Sequence, residues 1–347
     1  MTARRSPHGW KALAGVVATI GGAWLLVWTV RTAGAGLVFD AVRRLGAGFI
    51  VVLMLSGARY VLRAVAWRCA VEPPDRLQMG TALACFLAGD ALGNVTPLGL
   101  VLSEPSKILL LGRRIQPKAS ISALTVENLL YSGSVVVMLA AGTAALLLSF
   151  DVQEPLRAAS FATLVCAIAV AVAAGWIVTT RRHLVSRLLD CLIAWNIGRH
   201  YLLSRREHVT DIEDRIYGFA RRRPGRVLQI AALEIAYQAA AVAEIWVALT
   251  LMTGTPPRLL TAFVLEYVNR TITIAFQFVP MWLGVDEAGT GLVAGALSLG
   301  SATGVSLALV RKARLTVWTI LGIVLLIRQG VSLKAAIEQT KLAATDR

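Results

Sequence analysis

Two long apolar runs in this sequence are each interrupted at a proline, and the two interruptions share one pattern. In each, an amide side chain lies three residues before the proline, a glycine follows it, and a glutamate stands seven residues after it. A proline removes a backbone donor and clashes with the preceding turn, so both apolar runs should break there. Free backbone groups inside hydrocarbon are costly unless protein or a wet cavity satisfies them. The two copies are Asn94, Pro97, Gly99 and Glu104, and then Gln277, Pro280, Gly284 and Glu287.

The composition is that of a membrane protein with several spans. Of the 347 residues, 56% are hydrophobic and only 16% are charged, and the charged residues cluster in short blocks. The formal net charge is +15. No nucleic-acid recognition motif accompanies this charge, so cytoplasmic loops and anionic lipid explain it better than a nucleic-acid partner does.

The apolar segments and the basic blocks predict an all-α polytopic membrane protein with a single transmembrane domain over residues 1–347. We expect about six full spans and two re-entrant helical hairpins broken at proline, arranged as an inverted repeat. Repeat one would cover about residues 47–150 and repeat two about residues 226–328, with a basic cytoplasmic segment at 181–226. The excess of Lys and Arg would place both termini in the cytoplasm. If both hairpins crossed the membrane fully, the count would be about ten spans.

The second predicted span runs from Gly46 to Cys69, and near its end Arg63, Trp67 and Arg68 are typical of an interface anchor.

Paired breaks in corresponding halves indicate a transporter's binding site, because half-helix ends direct partial charges into the gap between them. Glu104 and Glu287 could bind a cationic headgroup, carry protons, pair with buried arginines, or only satisfy the broken backbone. We expect Glu104 or Glu127 to pair with Lys107, Arg311 or Arg314. Glu234, Glu244 and Glu266 are weaker candidates. The predicted substrate-binding residues are Asn94, Pro97, Gly99, Glu104, Lys107, Glu127, Gln277, Pro280, Gly284, Glu287, Arg311 and Arg314.

Signals of catalysis or of metal binding are weak. The four cysteines form no CxxC pair, and the four histidines lack metal-ligand spacing. Nucleophile-elbow, zinc-protease and phosphate-loop motifs are absent from the sequence. We therefore expect no catalytic residue, no metal site and no cofactor, and an intramembrane enzyme acting on lipid phosphates is the least favoured hypothesis.

The motifs resemble those of the lysylphosphatidylglycerol synthase transmembrane-region family. The stretch from Thr96 to Lys107 is similar to that family's first motif, and Phe278 to Ala288 is similar to its P-x-G-x-G-x-x-E-A motif. Glu127 and the helix of Arg311 and Arg314 match the glutamate and the arginine helix that follow these motifs. Met281 and Trp282 stand where the family usually has a glycine-containing turn, so the shape of the cavity departs from the pattern.

The resemblance implies a flippase-like membrane region without the aminoacyl-transferase domain of lipid-lysinylating members. We therefore expect a bacterial inner-membrane translocator of a polar lipid, such as a phospholipid, a hopanoid or a polyprenyl-linked lipid. Its partners would be membrane lipids, with anionic headgroups at the 181–226 segment. The alternative is a non-transporting scaffold for a lipid-modifying enzyme or a glycosyltransferase.

Overall fold

The computed structural model describes residue 31 and residues 35–96, 99–112, 115–150, 154–180, 186 and 199–328. The described residues form helices, turns and short connections, with no strand among them. Before residue 181 the α-helices are α1 (Ala35–Leu45), α2 (Phe49–Ala70), α3 (Met79–Val95), α4 (Gly99–Leu111), α5 (Pro117–Ser149) and α6 (Glu154–Thr180). From residue 199 they are α7 (Arg199–Arg222), α8 (Pro224–Thr253), α9 (Leu259–Ala275), α10 (Val285–Ala296) and α11 (Ser301–Arg328).

Among the residues that the structure describes, three helical segments are long and apolar enough to cross a membrane: Arg43–Ala70, Pro117–Ser149 and Pro224–Thr253. Local sequence explains where the two longest of these segments, α5 and α8, begin and where α8 ends. Helices α5 and α8 each have a proline in their first turn, where a missing backbone donor costs nothing. Gly254 ends α8 in the left-handed region, with φ of 76°. The prediction of an all-α polytopic membrane protein is confirmed, whereas the number of spans stays a prediction.

Both interrupted runs fold into helical hairpins. In the first, α3 and α4 pack against each other, and residues 97 and 98 between them lie outside the described residues. In the second, α9 packs against α10, and a 3₁₀ turn at Pro280–Trp282 lies between them. At about 1.5 Å per residue, none of these four helices reaches the roughly 30 Å of a bilayer core. Short arms favour re-entrant hairpins, although their depth in a membrane remains a prediction.

The connection in the second hairpin is the more unusual of the two. Met281 and Trp282 adopt positive φ angles of 52° and 51°, and Gly284 has φ of 80°. Side chains rarely occupy this region of backbone space. The two residues that depart from the family pattern therefore form a distorted turn.

The same packing pattern recurs in the two halves of the chain. Helix α2 of the first half packs along α8 of the second. The first arm of each hairpin also packs against the long helix that follows the other hairpin, so α3 contacts α11 and α9 contacts α5. A glycine allows each of these close approaches, Gly322 against the backbone of Leu87 and Gly142 against Tyr267. This pairing is what two repeats related by a two-fold axis would produce, and the boundaries of the repeats stay a prediction.

The second predicted span differs from expectation at its end. Trp67 is fully buried, and Arg63 points into the protein, where it binds a carboxylate. Only Arg68 is exposed, as an interface anchor would be. The anchor interpretation was therefore wrong for Arg63 and Trp67, because a partner inside the helix bundle satisfies the arginine better than the lipid headgroups do.

Part of the basic segment is visible as α7, which packs on the start of α5. Lys118 binds Asp211 at 2.8 Å, and Arg222 binds Glu72 at 3.3 Å. Residues 181–185 and 187–198 lie outside the described residues.

Candidate functional site: a polar path through the helices

The first hairpin holds a lysine between two carboxylates. The Lys107 ammonium donates to Glu104 at 2.8 Å and lies 3.0 Å from Asp90. Lys107 is 1% exposed, whereas the side chains of Asp90 and Glu104 are 31% and 29% exposed. The ammonium also lies 4.3 Å from the centre of the Phe86 ring, which favours a cation. Two half-exposed carboxylates thus share one buried cation.

Helix α5 connects this lysine site to α2. Asn128 donates to the second oxygen of Glu104 at 2.6 Å. Arg63 donates to both oxygens of Glu127, at 2.7 and 2.9 Å, and to the Asn128 side-chain oxygen at 3.0 Å. Such a bidentate pair fixes both side chains more strongly than a single contact would.

The contacts from Asp90 and Lys107 through Glu104 and Asn128 to Arg63 form the first part of what we call the polar path. Two tyrosines continue this path toward the second half of the chain. The Tyr131 ring lies under Arg63 at 3.9 Å and packs edge to face with Tyr237. Arg270 donates to the Tyr131 hydroxyl at 2.8 Å, and Arg59 donates to the Tyr237 hydroxyl at 3.0 Å. Aromatic faces and hydroxyls therefore surround arginines that lie within otherwise apolar helices.

The path ends where two arginines share one glutamate. Arg59 donates to one oxygen of Glu244 at 3.1 Å, and Arg314 donates to the other. Nearby, Arg270 binds Glu266 at 3.3 Å, and Asn269 donates to the same carboxylate at 3.1 Å. Here the positive charge is in excess, the reverse of the lysine site.

The carboxylates of the second hairpin are fully engaged. Glu287 accepts from the backbone N–H of Gly284 at 2.8 Å, which caps the start of α10, and it also pairs with Lys312. Arg311 donates to Asp286 and to Thr290, both at 2.6 Å. Glu287 has no exposed surface, and Asp286 is 9% exposed. In this conformation both acidic side chains hold the helix start and α11 together.

The predicted pairings are correct only in part. Glu104 does bind Lys107, as expected. Glu127 pairs with Arg63 instead of Arg311 or Arg314. Arg311 pairs with Asp286 and Arg314 pairs with Glu244, because each arginine lies beside an acidic residue of the second half of the chain.

The other predicted site residues lie around the breaks. Asn94 donates to Thr319 of α11 at 3.1 Å, so it joins the two halves. Gln277 lies in an exposed turn, Pro280 starts the 3₁₀ turn, and Gly284 precedes α10. Gly99 begins α4, and Pro97 lies outside the described residues.

Sequence reasoning missed much of the polar path. Arg59 and Arg63 are four residues apart on an apolar helix, which places them on one face. A charged residue within such a run marks a functional candidate, and this signal could have identified both. Other side chains absent from the predicted site are Asp90, Asn128, Tyr131, Tyr237, Asn269, Arg270, Asp286 and Lys312. Glu244 and Glu266, which were ranked as weaker candidates, are both in ion pairs.

Across the described part of the chain, no three His, Cys, Asp or Glu side chains are placed to hold a metal ion.

Comparison with known proteins gives one match. The model of the Lysylphosphatidylglycerol synthase TM region family matches residues 12–323. No curated protein and no solved structure matches the chain. The match spans most of the sequence and includes both broken hairpins and the long helices that follow them. This multi-pass membrane protein therefore belongs to the lysylphosphatidylglycerol synthase TM region family, whose name indicates a role connected with membrane lipids.

Proposed function

We propose that this protein translocates a polar lipid across the bacterial inner membrane. The observation that carries the proposal is the polar path itself, which runs from Asp90 to Arg314 through side chains of both halves. Charged groups within membrane helices are expensive and rarely persist without a function. A path of this kind gives a headgroup polar contacts while its acyl or isoprenoid tails stay in lipid.

The lysine site is the proposed entry point for the headgroup. Asp90 and Glu104 are the most accessible carboxylates of the path, and they share one lysine. A headgroup can therefore exchange contacts with them without first breaking the buried core of the protein. Phospholipids, hopanoids and polyprenyl-linked lipids all present polar headgroups, so each is a candidate substrate.

The basic segment supports contact with anionic lipid on the cytoplasmic side. Arg221, Arg222, Arg223 and Arg226 are exposed around the junction of α7 and α8, where α8 starts its apolar run. Each arginine near an anionic surface contributes about 1 kcal/mol of attraction. We propose that residues 181–226 face the cytoplasm, as do both termini.

The test is movement of headgroup-labelled fluorescent lipid in liposomes that contain the purified protein. We expect wild-type protein to accelerate movement over protein-free liposomes, and Glu104→Gln to reduce the rate at least about tenfold, because charged contacts of this kind are worth about 1.5–3 kcal/mol. The matched control is Glu154→Gln, since Glu154 is an exposed carboxylate at the start of α6. It should transport as wild type does.

Lipid movement no faster than in protein-free liposomes would contradict the proposal. The scaffold alternative would then be pursued by looking for an enzyme that copurifies with the basic segment.

A further inference from the structure

The buried basic end of the polar path holds more positive charge than its carboxylates balance. Two guanidinium groups, those of Arg59 and Arg314, share the single carboxylate of Glu244. The neighbouring Glu266 carboxylate lies within electrostatic range of Arg270, Arg59 and Arg311. We call this set the arginine cluster, and it consists of Arg59, Arg270, Arg311, Arg314, Glu244, Glu266 and Asp286. Four arginines against three carboxylates leave one unit of positive charge inside the protein.

Several donors of the arginine cluster have no acceptor among the described residues. They are Nε of Arg59, Nε of Arg270, and both Nε and Nη1 of Arg311. Arg311 is 5% exposed, so bulk solvent does not reach its unpaired donors. A buried donor that lacks an acceptor is costly, and a buried unbalanced charge costs more. A single anion with several acceptor oxygens would accept hydrogen bonds from these donors and would also balance the excess positive charge.

The number of unpaired donors favours a phosphate group over a carboxylate. The four unpaired donor atoms belong to three different helices, α2, α9 and α11. A carboxylate offers two oxygens in one plane, whereas a phosphate monoester or inorganic phosphate offers three or more oxygens in a tetrahedral arrangement. Guanidinium groups also match phosphate in geometry and are less strongly hydrated than ammonium groups.

We propose that the arginine cluster is a binding site for a phosphate group, which enters when the helices around it separate. The unpaired donors are shut off from solvent in this conformation, so an anion reaches them only after the surrounding helices move. The role of this site in lipid movement rests on the proposed function, whereas phosphate binding itself does not. The phosphate could belong to a lipid headgroup or be free in solution, and the two sources share this chemistry.

Arg59→Gln is the sharpest variant for testing the site. It removes one cation of the cluster, but Glu244 keeps its ion pair with Arg314, so three arginines then face three carboxylates. We therefore expect the variant to fold and to melt at or above the temperature of the wild type, because it relieves the excess charge. It should nevertheless lose phosphate binding. Arg157→Gln, an exposed arginine of α6, is the matched control.

The experiment measures the melting temperature of the full chain in a phosphate-free maltoside detergent. The probes are sodium phosphate, dihexanoyl phosphatidic acid, and dihexanoylglycerol as the lipid without phosphate, all at constant ionic strength. Wild-type protein and Arg157→Gln should be stabilised by a phosphate-bearing probe. The apparent affinity of Arg59→Gln should be about tenfold to a hundredfold weaker, as expected for the loss of a charged hydrogen bond.

If Arg59→Gln fails to fold, Arg59→Lys provides the second test. It keeps the charge but removes the unpaired Nε donor, so binding should weaken without loss of the fold.

Each outcome of the melting experiment either supports or overturns the proposed phosphate site. Stabilisation by both phosphate and phosphatidic acid supports a site for the phosphate group alone, and stabilisation by phosphatidic acid only supports a lipid headgroup. The inference is overturned if no phosphate probe stabilises the wild type, if dihexanoylglycerol acts as well as phosphatidic acid, or if the Arg59 variants bind with full affinity. Phosphate binding without lipid movement in liposomes would remove the proposed function and leave this site standing.

Discussion

The two helical hairpins share a sequence pattern, yet they use their glutamates differently. In the first, Glu104 is 29% exposed and shares Lys107 with Asp90. In the second, Glu287 has no exposed surface and is held by a backbone N–H and by Lys312. A repeated motif therefore gives one carboxylate that is available to a ligand and another that holds the helix start in place.

The difference follows from where each glutamate stands relative to the start of its helix. Residues 276–284 of the second hairpin form a distorted turn, which places the N–H of Gly284 within reach of Glu287. In the first hairpin Glu104 lies inside α4, beyond its first turn, and its side chain meets α5 instead. Corresponding sequence positions need not have corresponding roles when the local backbone differs.

The largest effect should come from Glu287→Gln. The change leaves the Lys312 side chain, which is only 14% exposed, without its carboxylate. Breaking a buried pair in this way costs about 3–5 kcal/mol, and the buried partner here is Glu287. We expect a large fall in melting temperature and a smaller monodisperse fraction on size-exclusion chromatography. Adding Lys312→Met should recover much of the loss. A single variant that melts as the wild type does would show that this glutamate does not stabilise the hairpin.

An intermediate effect should come from the glycines at the crossings of the two halves. The methyl group in Gly322→Ala would overlap the backbone of Leu87, and that in Gly142→Ala would overlap Tyr267. Such overpacking costs about 1–3 kcal/mol, which thermal melting would detect. Gly133→Ala is the control, because nothing lies within 4 Å of a methyl group there. It should be neutral or stabilise α5 by up to about 1 kcal/mol. Similar melting of all three variants would contradict the close packing.

The smallest effect on stability should come from Glu104→Gln. Lys107 keeps Asp90 as its partner, and the glutamine still offers an acceptor to Asn128. Partly exposed ion pairs contribute about 0–1 kcal/mol, so the melting temperature should change little even though lipid movement falls. A loss of stability equal to that of Glu287→Gln would remove the distinction between the two hairpins.

The sequence predicted the helical class and both breaks, because composition and proline are local signals that survive any tertiary arrangement. It also predicted the pair of Glu104 and Lys107, which are one turn apart on a single helix. It did not predict that Glu127 binds Arg63, since these residues are 64 positions apart and meet only through packing. Nor did it predict the role of Arg59, which depends on how α2 lies along α8.

The charges of the two halves are arranged with opposite polarity. In the first half α2 carries the arginine and α5 the glutamate, as Arg63 and Glu127. In the second half α8 carries the glutamate and α11 the arginine, as Glu244 and Arg314. Two copies of the first half would set arginine against arginine along the α2–α8 contact, and two copies of the second would oppose glutamates. Each half is therefore complementary to the other and not to itself, so separately expressed halves should assemble as a heterodimer and disfavour either homodimer.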